Sequence, residues 1–333
     1  MLSGVSRVTS RAWRDGKVVA QDFELDDLSD WLGNDACLTW VDLLEPDPGL
    51  LEALAAELNF DRHAVEDAVA PHERPKATRH ATHSFLTCYG ARVETGPGGD
   101  VELVTGRISA FVLPHALVTV RTSDVVDMDD VQERWEADGL LHLGVGALVH
   151  GLLDSLVDAH FVALEQLDDA VEELDDLLFS TQVRTQQVQQ RVFRLRKSMV
   201  GLRKVVLPMR EVVASVMRFR AGETGTPHEL DGYFDDLYDH VIRASEWLDS
   251  LRDLVASAFE TNLSLQEAGL NEVMKKLAAW AAIIAVPTAV TGWFGQNIPY
   301  PGFSQATGLV QSVVLMLIGT VGLFFLFRAK RWL

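Results

Sequence analysis

"LAAWAAIIAVPTAVTGWFGQNIPYPGFSQATGLVQSVVLMLIGTVGLFFLF", Leu277 to Phe327, contains no Asp, Glu, Lys or Arg. Two prolines and two glycines in "NIPYPGFSQATG" break any continuous helix there. That leaves 18 residues, Leu277 to Phe294, on one side and 19, Leu309 to Phe327, on the other. At about 1.5 Å per residue each run covers about 27–29 Å, close to the hydrocarbon thickness of about 30 Å. The reading is a pair of transmembrane helices. The competing reading, a buried hairpin of a soluble protein, would have to hide two adjacent uncharged runs of membrane length in one core.

The flanks orient the pair. Lys275 and Lys276 precede the first run, Arg328, Lys330 and Arg331 follow the second, and the loop between carries no charge. Positive residues stay on the cytoplasmic side. A multi-pass protein of the cell (inner or plasma) membrane is therefore expected, with both termini cytoplasmic and the loop outside. Cys37 and Cys88 have no CxxC spacing and no companion His cluster, so neither a disulfide nor a zinc site is expected. "MLSGVSRVTSRAWRDGK" at the N-terminus has no apolar h-region of a signal peptide.

The chain of 333 residues is long enough for about two domains. Its 29 Lys and Arg against 48 Asp and Glu give a net charge of −19, which argues against nucleic acid as a partner. Multivalent cations are compatible with that charge, and so is a merely solvated acidic surface.

Before the membrane pair, the first 145 residues mix two periodicities. "CLTWVDLL", "HSFLTCYGARV", "VELVTGRISAFVL" and "ALVTVRT" have the β-branched, apolar character of strands, with the turn "TGPGGD" between two of them. "PGLLEALAAELNF" and "DRHAVEDAVA" have helical spacing. From Gly151 to Arg252 only Pro208 and Pro227 interrupt a helical pattern. Segment 151–183 holds nine acids and no Lys or Arg; segment 184–204 holds seven bases, from Arg184 to Lys204, and no acid. An antiparallel hairpin with charge-matched faces is expected. A helix from Leu230 to Phe294 would be about 98 Å long and would need lateral partners, hence a bundle or a symmetric oligomer.

The fold class expected is an α+β membrane protein in three parts. Residues 1–145 form an N-terminal α/β cytoplasmic domain. Residues 146–276 form a cytoplasmic long-helix region, the acidic/basic hairpin and a stalk helix. Residues 277–333 form a transmembrane hairpin with an external loop at 295–308 and a basic cytoplasmic tail.

One face of the first span is its least fatty. Asn271, Met274, Leu277, Ala281, Ala285, Thr288, Gly292 and Gly295 recur every three or four residues, and Asn297 follows. Such a stripe suits close helix–helix packing in a membrane. It equally suits the lining of a pore in an oligomer, with the polar groups facing water.

At these residues the chain resembles a family. "NEVMK" (Asn271 to Lys275), Pro287-Thr288 within the span, Gly295-Gln296-Asn297 at its end and the tail "RAKRWL" are similar to CorA-type magnesium transporters. Upstream, "YDH" (Tyr238 to His240), "PMRE" (Pro208 to Glu211), "HERPK" (His72 to Lys76) and "LVDAHFVALEQLDDAVEELD" (Leu156 to Asp175) extend the resemblance over residues 60 to 333. It implies a homopentameric channel whose first spans line the pore. It also implies that the glycine-x-asparagine mouth, here Gly295, Gln296 and Asn297, meets the hydrated ion. Gly292 would leave room there, Thr288 and Asn271 would form deeper polar rings, and Met274 and Leu277 a hydrophobic gate. Divalent ions between cytoplasmic domains gate the family, and Asp236 in "DDLYDH" matches the acid involved; Glu94, Asp100 and Glu102 are candidates for its partner.

The resemblance implies Mg²⁺ as transported and regulatory ion. Two departures keep Co²⁺, Ni²⁺ and Zn²⁺ open: Gln296 stands where the family usually has methionine, and the loop lacks the acids many members carry. A zinc or proton-coupled transporter like ZntB is thus one alternative, and a tethered cytoplasmic sensor without transport is another. An enzyme is not expected, since there is no nucleophile elbow, P-loop or metal-hydrolase spacing.

Overall fold

The computed structural model describes residues 7–71, 73–96, 100–179, 185–222 and 226–333. His72 of "HERPK", Pro97 to Gly99 of the expected turn, and Arg184 lie outside the described residues, as does the side chain of Asp176. The chain divides into two compact units, Met1–Ala258 and Phe259–Leu333.

In the first unit, β1 (Arg7–Arg14), β2 (Lys17–Gln21), α1 (Leu28–Leu32), β3 (Leu38–Leu44), α2 (Pro48–Glu57) and α3 (Arg62–Val69) come first. They are followed by β4 (Lys76–Arg79), β5 (Ser84–Thr95), β6 (Val101–Val112), β7 (Ala116–Arg121) and α4 (Met128–Ala137). The expected strands and helices of this part all form, within three residues at their ends. Asp47, Asp61 and Asp127 start α2, α3 and α4 by accepting hydrogen bonds from the first free backbone N–H groups, which a helix cannot satisfy itself.

The seven strands form one sheet in the order β2-β1-β3-β7-β6-β5-β4, antiparallel throughout except for the parallel pair β3–β7. Helices cover both faces. Val41, Leu43, Phe85, Phe111, Val118 and Val120 point to α1, α2 and α3. Trp40, Leu86, Ile108 and Leu117 point to the side of Trp135 and the long helices. Strands buried on both faces read as continuous apolar runs rather than alternating ones, and β7 is buried at every position. The sheet also holds a buried polar pair. Asp42 accepts from Arg121 Nε and Nη2 at 2.9 and 2.7 Å and from Thr119 Oγ1 at 2.6 Å.

Two long helices follow, α5 (Val145–Phe179) and α6 (Thr185–Ala221), the second running through Pro208. They form the expected antiparallel hairpin, but its seam is apolar. Leu164, Leu167, Val171 and Leu174 pack with Val188, Val192, Leu195 and Met199. Among the described residues one ion pair, Glu173–Arg191, joins the two helices. The other bases of α6 turn elsewhere: Arg194 to Asp100, Lys197 to Glu102 and Arg203 to Asp249. The matched charges expected at the seam stay outside it, because burying apolar area stabilises a seam while exposed ion pairs add little.

By length and composition α5 could also cross a membrane, but its apolar window is 67% buried in this unit. The remaining helices are α7 (Asp231–Phe294), close to the expected start and end, and α8 (Ala306–Ala329). Their apolar windows are 11% and 0% buried, an outward-facing apolar surface that fits lipid and not water.

Candidate functional site

Within the second unit, α7 shows two faces. Ala279 and Ile283 are buried, and Val286 is met by Gly319 of α8 so closely that a Cβ on that glycine would lie 2.7 Å from Val286 Cγ1. A glycine at that crossing lets two membrane helices approach. Met274, Leu277, Ala281, Ala285, Thr288 and Gly292 are all exposed. At 3.6 residues per turn, this stripe lies about half a turn around α7 from the face that meets α8.

The helix end is shaped by local bonds. Pro287 removes one backbone donor, and Thr291 Oγ1 donates to the Pro287 carbonyl at 2.9 Å. Thr288 Oγ1 donates to the Ile284 carbonyl at 3.3 Å, which leaves its lone pairs outward. Gly295 N–H closes the last turn on the Thr291 carbonyl at 2.8 Å. A Cβ at Gly295 would sit 2.9 Å from that same oxygen, so the residue type is demanded by the turn. Ile298 N–H then donates to the Gln296 carbonyl at 2.7 Å, a three-residue turn with Asn297 at its tip. Gln296 and Asn297 are exposed. Behind them the loop folds on an aromatic cluster, Phe294–Tyr300 at 5.0 Å and Tyr300–Phe303 at 5.4 Å between ring centres, and not on charges.

Further up α7, Asn271 is exposed, as is Asp236, whose Oδ2 lies 3.4 Å from His240 Nδ1. The candidate partner acids sit on the β5–β6 ribbon, each beside a cation of its own chain: Glu94 by Arg92, Asp100 by Arg194, Glu102 by Lys197. Among the described residues, no group of three or more His, Cys, Asp or Glu stands ready to hold a metal ion. Among the described residues, Asp236 has His240 beside it and belongs to no larger group of this kind.

Two of the motifs behind the resemblance are joined in space. Arg210 of "PMRE" donates from Nε to the Tyr238 hydroxyl of "YDH" at 2.9 Å. Lys76 of "HERPK" pairs with Asp67 and Glu73 at 2.6 and 3.0 Å. His160 donates to the Tyr89 carbonyl at 2.8 Å, and burial pushes its pKa down to about 4. Cys37 and Cys88 are buried free thiols, Cys88 pushed up to about 12 by burial. Sequence reasoning passed over Asp154 on α5. Burial raises its carboxyl pKa, opposed by the field of His150, with Asp158 and His240 also near. Its one available signal was the i, i+4 spacing of His150, Asp154 and Asp158.

A two-helix unit whose apolar runs carry no charge, a small-and-polar stripe ending in an exposed amide, and an α/β unit with long helices are the features of a two-span membrane protein. The CorA-like Mg²⁺ transporter protein family matches residues 35–331, and the chain belongs to that family. It is similar to the cobalt/magnesium transport protein CorA of Thermotoga maritima, 28% identical over 274 residues, 81% of this chain and 76% of that protein. In fold it resembles the complete CorA magnesium transporter of Methanocaldococcus jannaschii, with TM-score 0.75, 20% identity and all of both chains covered. The full-length CmaX protein is also similar, with TM-score 0.73, 18% identity, and 99% of this chain and 100% of that one covered.

Proposed function

We propose that this chain is a passive divalent-cation channel of the inner or plasma membrane that carries Mg²⁺. In this reading it is a homopentamer with both termini and the first unit in the cytoplasm and the 295–308 loop outside. The observation that carries it is the orientation of α7. Its small and polar stripe points away from α8, so copies arranged about an axis would turn that stripe inward and keep α8 against lipid. Asn297, Gln296 and Gly295 then form the outer mouth, Gly292 widens it, Thr288 and Asn271 make polar rings, and Met274 and Leu277 make an apolar constriction that gates by dewetting.

The chemistry suits a hydrated ion. Mg²⁺ sheds water reluctantly and holds six ligands octahedrally. Waters on the ion donate to the Asn297 amide oxygens, so a ring of neutral dipoles binds the hydrated ion without trapping it. Between Leu277 and Phe327 there is no Asp, Glu, His, Lys, Arg or Cys, so a proton relay has nothing to run on, which favours a channel over proton coupling. Closure by cytoplasmic divalent ions belongs to the same reading. Asp236 is exposed and, among the described residues, has His240 beside it but belongs to no group of three or more such residues, so further ligands would come from the next copy.

A second reading, Zn²⁺ (or Co²⁺ or Ni²⁺) transport in the manner of ZntB, is favoured by one residue, Gln296 in place of methionine. Ion influx into proteoliposomes under a membrane potential separates the readings, with Mg²⁺ against Zn²⁺ and wild type against Asn297→Ala. Mg²⁺ influx lost in the variant supports the channel and its mouth. Zn²⁺ influx alone selects the second reading. No influx of either ion through folded protein would leave only a tethered sensor.

A further inference from the structure

The segment that joins α7 to α8 carries no Asp, Glu, Lys, Arg or His, and none of the 48 Asp and Glu of the chain lies beyond Glu272. A mouth built on Gly295, Gln296 and Asn297 therefore has no negative charge of its own with which to gather cations. What the segment exposes instead is apolar. Trp293 and Ile298, on either side of the mouth, are 65% and 63% exposed. Phe303 is exposed further along, and Leu309 and Val310 carry the same surface into α8.

The loop that presents this surface is folded. Phe303 N–H donates to the Tyr300 carbonyl at 2.9 Å, and Gln305 N–H to the Gly302 carbonyl at 3.1 Å. Gly302 takes a φ of +97°, open to glycine, and Gly308 is packed so closely against it that a Cβ there would collide with the Gly302 oxygen. The Tyr300 ring stands edge-on to Phe294 and Phe303. Trp293 and Tyr300 each join an apolar ring to a polar tip, the side-chain type that collects where hydrocarbon gives way to headgroups. The runs of α7 and α8 on which the loop stands are 11% and 0% buried, so the loop continues a surface that already fits lipid.

We propose that this loop seats in the headgroup layer of the outer leaflet, and that anionic headgroups there supply the negative potential that draws cations to Asn297. The proposal rests on the channel reading and adds the surface from which the mouth is fed. Asn297 stands three residues beyond Phe294, the last residue of α7, so a seated loop holds the mouth near the bilayer surface. An anionic surface concentrates a divalent cation by about tenfold, and the enrichment fades within a Debye length of about 8 Å at physiological salt. A mouth in the headgroup layer lies inside that distance, whereas one raised on a water-facing loop would not.

The test uses the full-length chain in proteoliposomes. A fluorophore is attached to Ile298→Cys, the native thiols being buried. It is expected to be quenched by lipid spin-labelled at the headgroup and protected from aqueous iodide; the reverse pattern would overturn the seat. Mg²⁺ influx is then measured against external Mg²⁺ in phosphatidylcholine vesicles with and without phosphatidylglycerol. Expected is a half-maximal concentration about tenfold lower in the anionic vesicles, with maximal influx unchanged. That gap closes in about 1 M monovalent salt, where the Debye length is about 3 Å. Phe303→Ser with Leu309→Ser keeps the loop uncharged and removes part of its apolar seat, so it narrows the gap at ordinary salt; a gap as wide as in the wild type would overturn the seat. Equal half-maximal concentrations in the two lipids, with influx lost in Asn297→Ala, would overturn the proposal and leave the channel standing. So would a change in maximal influx alone, which would assign the lipid effect to the basic tail at Arg328, Lys330 and Arg331. No influx through folded protein in either lipid would remove the channel reading and the proposal with it.

Discussion

Acidification acts on this fold through His160. The side chain is 1% exposed on α5, and its Nε2–H donates to the Tyr89 carbonyl of β5 at 2.8 Å. Burial in the packed interior disfavours the charged imidazolium, which holds the pKa near 4 against an ordinary value of about 6.5. Between those values the unfolded chain binds a proton that the folded chain refuses, so stability falls as pH drops through that window. A gap of about 2.5 pKa units at about 1.36 kcal/mol each is worth about 3 kcal/mol by pH 4. The assay compares thermal unfolding of the full-length wild type and His160→Gln in detergent, by near-ultraviolet circular dichroism, from pH 7.5 to 4. The glutamine amide keeps a donor for Tyr89 and cannot be protonated, so the variant loses some stability at pH 7.5 and far less of it on acidification. All other titrating groups are common to both proteins and cancel in the difference. Two curves that stay parallel from pH 6.5 to 4 would refute the reasoning.

The buried pair in the sheet gives a stability prediction. Arg121→Met leaves Asp42, 1% exposed, without its guanidinium, and chemical denaturation should register a loss of about 3–5 kcal/mol; Asp42→Leu added to it recovers most of that. In the membrane unit, Gly319→Leu puts side-chain atoms where Val286 already lies, so Mg²⁺ influx should fall while the far-ultraviolet signal of the cytoplasmic part is unchanged. Gly295→Ala should reduce influx more than Gly292→Ala. The added methyl lies 2.9 Å from the Thr291 oxygen in the first case, at the helix end, and in the second, inside the helix, meets nothing within 4 Å beyond the helix's own backbone. Equal influx through the two variants would sink the assigned role of the Gly295 turn.

Much of this was written in local pattern. The two uncharged runs before and after the loop are legible because hydrocarbon solvates no charge and no unpaired backbone group. A spanning segment must therefore show about 18 or more apolar residues whatever surrounds it. The α7 stripe is legible for a related reason, since a 3.6-residue period converts spacing directly into a face. Strands β3, β5, β6 and β7 could be read because helices cover both their faces and force an apolar run. Strands β1, β2 and β4 escaped notice: β2 and β4 are short and lie at the two edges of the sheet, where no core imposes a pattern, and β1, RVTSRAWR, is interrupted by three arginines.

What remained hidden depends on residues distant in sequence. No local signal pairs Thr39 with Ala116 in a parallel ladder, or sets Arg121 on Asp42. Charge counts along α5 and α6 foretold a hairpin but put the charges at its seam, because counting signs says nothing of which residues will be dehydrated there. Packing decided that, filling the seam with leucine and valine and leaving the charges outside. The same holds at the candidate mouth. Spacing alone left the α7 stripe equally suited to helix packing and to a pore. Its position half a turn from the face that meets α8 required the second helix to be in place. A single chain's local chemistry determines what each segment can be dissolved in; only the tertiary structure determines which of its faces is left over.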